Sequence, residues 1–167
     1  MMMFMTDQIK DLSAQPPVLL VPAGKDRFDE VRGLGISAIS FKVTPQDSNG
    51  ILILENSFRA KGGPARHLHF YQDEWFYPLE GEFIFEVGVE RFHLESGDSL
   101  LAPRNVPHVW AFAGGTSIGR ILVGFNPAGK MEAFFREVNK ANAMPPLDPT
   151  LWLAHDMQLL GPPLTME

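Results

Sequence analysis

Apolar and polar positions exchange along this chain over short distances. Val18–Val21 is a brief apolar run that stops at Pro22, and Leu34–Thr44 alternates loosely. Thr44–Gly50 is turn material, with Asn49-Gly50 as a hairpin signal, and Ile51–Phe58 follows as a strand. Arg66–Tyr71 and Glu74–Leu79 are two more strands across a short polar link, and Leu79–Glu82 reads as a turn. Phe83–Val87, Glu90–Leu94, Ser99–Ala102, His108–Phe112 and Ile118–Phe125 complete the set, divided by Gly88, Gly97, Pro103–Pro107 and Gly114-Gly115. Many short strands with frequent Gly and Pro between them predict an antiparallel sandwich or barrel.

Beyond residue 126 the period changes. Met131, Phe134, Phe135 and Val138 fall at i, i+3, i+4 and i+7, one stripe of a helix. A second helix is expected from Asp148, a cap, through Pro149 at its first position, to a stop at Gly161-Pro162-Pro163. Leu151, Trp152, Met157, Leu159 and Leu160 lie within it. Both helices are expected to pack on the outside of the barrel. The expected organisation is a single all-β domain over residues 1–167: an N-terminal arm over 1–22 (with room for a short helix in 1–16), a barrel over about 34–126, and C-terminal helices over about 130–160.

Composition narrows the function. A chain of 167 residues is about one domain long. Fourteen Lys and Arg against twenty Asp and Glu give a net charge of −6. That balance argues against nucleic acid or an anionic membrane surface as partner, because both select basic proteins. There is no cysteine, which removes disulfides, thiolate metal sites and a cysteine nucleophile, and a cytoplasmic location is expected. Met1–Met5 is apolar but lacks the basic flank and length of a signal peptide.

Five histidines are present, and their placement is uneven. His67 and His69 are two positions apart on a predicted strand, so both side chains leave the same face. Glu74 opens the next strand, and His108 follows the loop Pro103–Pro107. A lone histidine is more often structural than a ligand, but a pair one strand repeat apart, followed by an acid and a later His, is less easily dismissed. Trp110 and Phe112 share the parity of His108, Phe76 that of Glu74, and Tyr71 that of His69. All four are therefore expected to line an aromatic interior pocket suited to an apolar or aromatic small molecule. His93 and His155 read as surface residues, Glu55 as a hairpin-surface or inward acid, and Arg120 as a salt-bridged strand residue. The chain has no phosphate-binding loop, His-Glu-x-x-His helix, nucleophile elbow or dinucleotide fingerprint.

This arrangement resembles the cupin family. Its first motif, a glycine region followed by His-x-His, Glu and Gly, is matched by Gly63, His67, His69, Glu74 and Gly81, with six residues between Glu74 and Gly81 as in the family. The second motif is matched by Gly97, Pro103, Asn105 and His108. Gly63 lies closer to His67 than the pattern has it, Asn105 stands for a Gly, and Phe112 stands for an Asn. Asn is tolerable at 105 because it also visits the left-handed backbone region.

The resemblance implies a double-stranded β-helix, or jelly-roll barrel, with a mononuclear metal site. Its ligands would be His67, His69, Glu74 and His108. Three imidazoles and a carboxylate suit one divalent transition metal among Fe, Mn, Ni, Cu and Zn. Asp73–Glu82 and the run Leu160–Leu164 are similar to the small quercetin 2,3-dioxygenase-like cupins. That implies dioxygenase chemistry on a small hydroxylated or enolisable substrate, with Glu74 also removing the substrate's proton. Two alternatives stay open at this point: a metal-dependent lyase or isomerase, and a non-catalytic small-molecule-binding cupin. A homodimer is expected, with the N-terminal arm and Val18–Val21 extending a partner's sheet.

Overall fold

The computed structural model describes residues 17–167. Its eleven strands are β1 (Arg32–Leu34), β2 (Ser37–Val43), β3 (Leu52–Phe58), β4 (His67–His69), β5 (Asp73–Glu80), β6 (Glu82–Val87), β7 (Glu90–Leu94), β8 (Leu100–Ala102), β9 (His108–Gly114), β10 (Gly119–Asn126) and β11 (Met157–Leu159). Three short helices accompany them: α1 (Pro45–Ser48), α2 (Met131–Val138) and α3 (Pro149–Ala154), with a 3-10 turn at Asn139–Ala141. The strands form two antiparallel sheets. One runs β1-β2-β3-β10-β5-β8 and the other β11-β4-β9-β6-β7. Consecutive strands repeatedly cross between sheets, as a rolled-up, all-β architecture requires.

Alternation builds the interior. Along β3, Leu52, Leu54, Asn56 and Phe58 are buried while the residues between them are not. The same parity buries Ile121, Val123 and Phe125 on β10 and Glu74 and Phe76 on β5. Aromatic residues fill the space between the sheets. Phe58, Phe76, Phe83 and Phe85 are fully buried around Trp110, whose ring lies parallel to Phe85 at 5.8 Å and edge-on to Phe58 at 5.6 Å.

The linker before β1 is held by an ion pair that sequence patterning does not reveal. Asp26 accepts from Arg32 Nε at 2.9 Å and from the backbone N–H groups of Phe41 and Phe28, each at 2.8 Å. Both charged side chains are buried, and the Arg32 guanidinium lies 4.4 Å from the Phe41 ring centroid. Burial alone would raise the Asp26 pKa. The hydrogen bonds from Arg32, Phe28 and Phe41 outweigh it and hold the carboxyl below its usual range.

Several expectations change at the ends. Val18–Val21 is not a strand. It is enclosed by Pro17 and Pro22 and pairs with no strand among the described residues, and Val18 is 96% exposed. The expected helix in 1–16 lies outside the described residues. The second C-terminal helix starts as anticipated, with Asp148 accepting from Thr150 N at 3.1 Å and Pro149 at the first position. It stops at Ala154, because Asp156 turns left-handed (φ 62°) and the chain becomes β11. That strand pairs with β4, Met157 opposite His69 and Leu159 opposite His67. Among the described residues no helix is long and apolar enough to cross a membrane.

The Asp26–Arg32 pair yields a pH test. The depressed pKa means its contribution is fully present above the unfolded-state value of about 4 and disappears as pH falls through the lower folded value. Urea denaturation should show Asp26→Asn less stable by about 3 kcal/mol at neutral pH, since it removes the buried carboxylate from Arg32 and leaves only the exposed Glu30. The deficit should shrink in acid, where the native carboxyl is protonated too. A deficit that does not change between pH 7 and pH 2 would contradict this account.

Candidate metal centre

Four side chains from three strands converge at one end of the roll. His67 and His69 point inward from β4, Glu74 from β5 in the opposite sheet, and His108 from β9, where it is the register partner of His67. All four are buried, and each places one donor atom within 4.8 Å of the others. His67 Nε2 is 3.2 Å from His69 Nε2, while Glu74 Oε2 is 2.9 Å from His69 Nε2 and 2.8 Å from His108 Nε2.

Local structure fixes the approach of each group. The segment leading into β4 lies against β9 through backbone pairing of Gly62 with Phe112. At Gly63 any Cβ would collide with the Trp110 carbonyl and the Ala111 Cα, so only glycine permits this contact. The loop before His108 is tied on two sides. Arg104 makes a bidentate pair with Asp73, both contacts 3.0 Å, and Asn105 N donates to the His69 carbonyl at 2.7 Å. Asn105 has φ 62°, the left-handed conformation for which Asn is suited.

The donor chemistry fits a divalent cation. His67 Nδ1 faces the Ala65 carbonyl at 2.7 Å and His108 Nδ1 faces the Val106 carbonyl at 3.3 Å. A carbonyl can only accept, so both Nδ1 atoms carry the proton and both Nε2 atoms present lone pairs to the centre. Burial, and then the neighbouring His108 and His69, push the His67 pKa well below the ordinary histidine value. That keeps its ring neutral. Burial would raise the Glu74 pKa, but the His69 and His108 rings in contact with it outweigh burial and hold it far below the usual carboxylate range. Imidazole lone pairs and an ionised carboxylate aimed at one point form the donor set of a first-row metal.

The surroundings differ in part from the expected pocket. A cavity of ≈ 50 Å³ borders His67, His69 and Glu74, and Trp110 lines it. Phe76 and Phe112 are buried but do not reach it; they pack behind Trp110, Phe76 against Phe85 at 4.7 Å and Phe112 against Phe83 at 5.5 Å. Tyr71 is corrected outright: it is 60% exposed. The strand ends at His69, the chain bends, and two-residue parity no longer holds, so Gln72 is buried instead. His69 Nδ1, Gln72 Oε1 and Trp110 Nε1 are buried without hydrogen-bond partners.

The C-terminal elements also change role. They do not lie on the outside of the barrel. Met131, Phe134 and Phe135 of α2, Trp152 of α3 and Met157 of β11 line the same cavity as the histidines. Trp152 is 1% exposed, with its ring centroid 5.0 Å from that of His67. The Met131–Val138 stripe was legible as an apolar face, but nothing in its period says that it docks over the open end of a roll. Ser37 and Asn56 also line the cavity, and each could have been noticed as a polar residue at an inward position. Glu55 points away and pairs with Arg120 at 2.7 Å, while His93 is half exposed on β7.

Comparison with known proteins agrees with this geometry. Residues 57–125 match the family model of the cupin domain, an interval that holds all four converging residues. No curated protein matches the chain in sequence. The structure is similar to KdgF from Halomonas sp., at 21% identity and a TM-score of 0.51 over 59% of this chain and 87% of that one. It is similar to an RmlC-like cupin from Shewanella frigidimarina NCIMB 400, at 24% identity and a TM-score of 0.51 over 62% and 87%. Pac13, a nucleoside dehydratase of Streptomyces, is similar in fold at 11% identity and a TM-score of 0.51 over 80% and 85%. The fold is a cupin β-sandwich, and residues 57–125 of it match the cupin domain. Within it, the buried group of three His and one Glu fits a divalent metal.

Trp152 is the test of the closing elements. Trp152→Ala should cost about 3–5 kcal/mol in urea denaturation, as large buried aromatics do. A loss below about 1 kcal/mol would mean that α3 rests on the roll without being part of its core.

Proposed function

We propose that this chain is a mononuclear metal-dependent cupin acting as a dioxygenase on a small enolisable or hydroxylated molecule, with His67, His69, Glu74 and His108 as the metal ligands. The observation that carries the reading is the convergence of four donor atoms within 4.8 Å in a buried cluster. A divalent cation held there would acidify a substrate hydroxyl beside it and offset the charge of the resulting enolate. In this reading Glu74, a carboxylate beside the cation, takes that proton. Trp110, Phe134 and Trp152 exclude water from the reacting end.

The size of the cavity favours a small substrate. A volume of ≈ 50 Å³ is room for a few water molecules. Drug-sized ligands fill pockets of about 300 Å³ or more, so a three-ring flavonol would have to displace the C-terminal cover. A 1,3-diketone is the better matched class.

Elemental analysis of purified protein should find about one transition-metal ion per chain, and His67→Ala and Glu74→Ala should lose most of it. Metal content unchanged by both substitutions would refute the ligand assignment. With metal bound, a small 1,3-diketone should drive dioxygen consumption. Turnover without dioxygen would replace the oxygenase reading with a lyase, and binding without product would replace it with a binding module.

A further inference from the structure

The cavity beside the four donors holds ≈ 50 Å³ and is walled mostly by buried side chains. A molecule that reaches the donors must displace part of that wall. Only Pro64, Phe135, Met144 and Pro145 line the cavity and also keep some exposure to solvent. Phe135 sits in α2, where helix hydrogen bonds hold the backbone. Pro64 follows Gly62 and Gly63, which pin the chain against β9. Met144 and Pro145 have no such restraint. They belong to Asn142–Leu147, a segment without regular structure between the 3-10 turn and α3.

This segment is held at its two ends only. Among the described residues no backbone–backbone hydrogen bond joins positions 143–147 to the rest of the chain, and Pro145 and Pro146 have no N–H to offer. At the first end Asn142, left-handed at φ 46°, accepts from Gly35 N at 3.4 Å, a long and exposed contact. β1 is bare where Asn142 rests on it: a Cβ at Gly33 would meet Asn142 Oδ1 at 2.0 Å. At the second end the buried Trp152 donates Nε1–H to the Pro146 carbonyl at 2.8 Å. The segment also lies where an entrance is wanted. Glu74 faces Phe125 on β10, and Asn56, another lining residue, faces Ile121, so the cavity reaches about 13 Å along the strand from the acid toward the β1–β2 turn. Gly35 of that turn is in close contact with the Met144 backbone.

We infer that Asn142–Leu147 is a strap that gates the route to the metal centre, released at the contact of Asn142 with Gly35 and pivoting where Trp152 holds Pro146. The latch is one exposed hydrogen bond, whose loss is readily compensated by water, whereas the pivot is anchored in the core. Met144 is the plug: an unbranched, flexible side chain fills the opening when the strap is down and yields when it lifts. This rests on the metal reading and adds the path by which ions and small ligands come and go. The strap controls the rate of passage and takes no part in bond making or cleavage.

The test uses zinc as the probe and follows its transfer from loaded protein to an excess of a chromogenic chelator. The chain has no cysteine of its own, and a Cβ at Gly33 would lie 2.7 Å from Asn142 Cγ, so cysteines at both positions are placed to bridge. The oxidised Gly33→Cys/Asn142→Cys protein should release zinc at least tenfold more slowly than the wild type. Reducing the bridge with a phosphine should bring the rate back to within about threefold. Asn142→Gly keeps the left-handed turn and loses the latch, and it should release zinc at least twofold faster with unchanged zinc content at saturation. Because that variant alters only an exposed side chain, it carries the test if the bridged protein fails to fold. Release at the wild-type rate from the bridged protein, or from Asn142→Gly, would overturn the strap and leave the metal reading standing. Wild-type protein that takes up no zinc or other transition metal would overturn both, and elemental analysis identifies that case.

Discussion

Lone pairs buried side by side repel one another unless something positive lies among them. His67, His69, Glu74 and His108 bring nitrogen and oxygen donors to within hydrogen-bonding distance in the buried interior. The carbonyls of Ala65 and Val106 claim the protons of two rings from behind, so the unprotonated nitrogens face inward. This is an arrangement that elementary electrostatics penalises in isolation and rewards around a cation. Much of the architecture serves to impose it. The pairing of β4 with β9 sets His67 opposite His108, and the parity of β5 sends Glu74 in from the other sheet.

The glycine and asparagine of the connecting segments belong to the same constraint. Gly63 lets the chain entering β4 approach the backbone of β9, and Asn105 adopts a left-handed turn that Arg104 and the His69 carbonyl hold in place. Neither touches the donors' chemistry. Each removes a way in which the rings might sit a fraction of an ångström too far apart, which is the tolerance that coordination geometry sets.

The donors were legible in the sequence because two-residue parity and spacing survive folding wherever a strand is regular. The same rule failed at Tyr71, since β4 is only three residues long and the chain bends after His69. Parity correctly put Phe76, Trp110 and Phe112 inside, but it cannot separate a side chain that borders a void from one that packs behind it. The helical stripe of α2 was legible as a face without a destination. β11 was lost inside an expected helix because Met-Gln-Leu is too short to display a period. Asp26 and Arg32 pair across a turn rather than along an element, so no periodic pattern announces them.

The pairing of β11 with β4 has a consequence for assembly. Every donor precedes the cover in the chain: His108 and the closing strand β10 are complete before Met157 is reached. Chains emerge from synthesis in that order, so the roll can form and expose its donors while the hydrogen-bonded flap that seals them does not yet exist. If the four donors hold an ion, it can enter before the covering segment is made, and sealing follows.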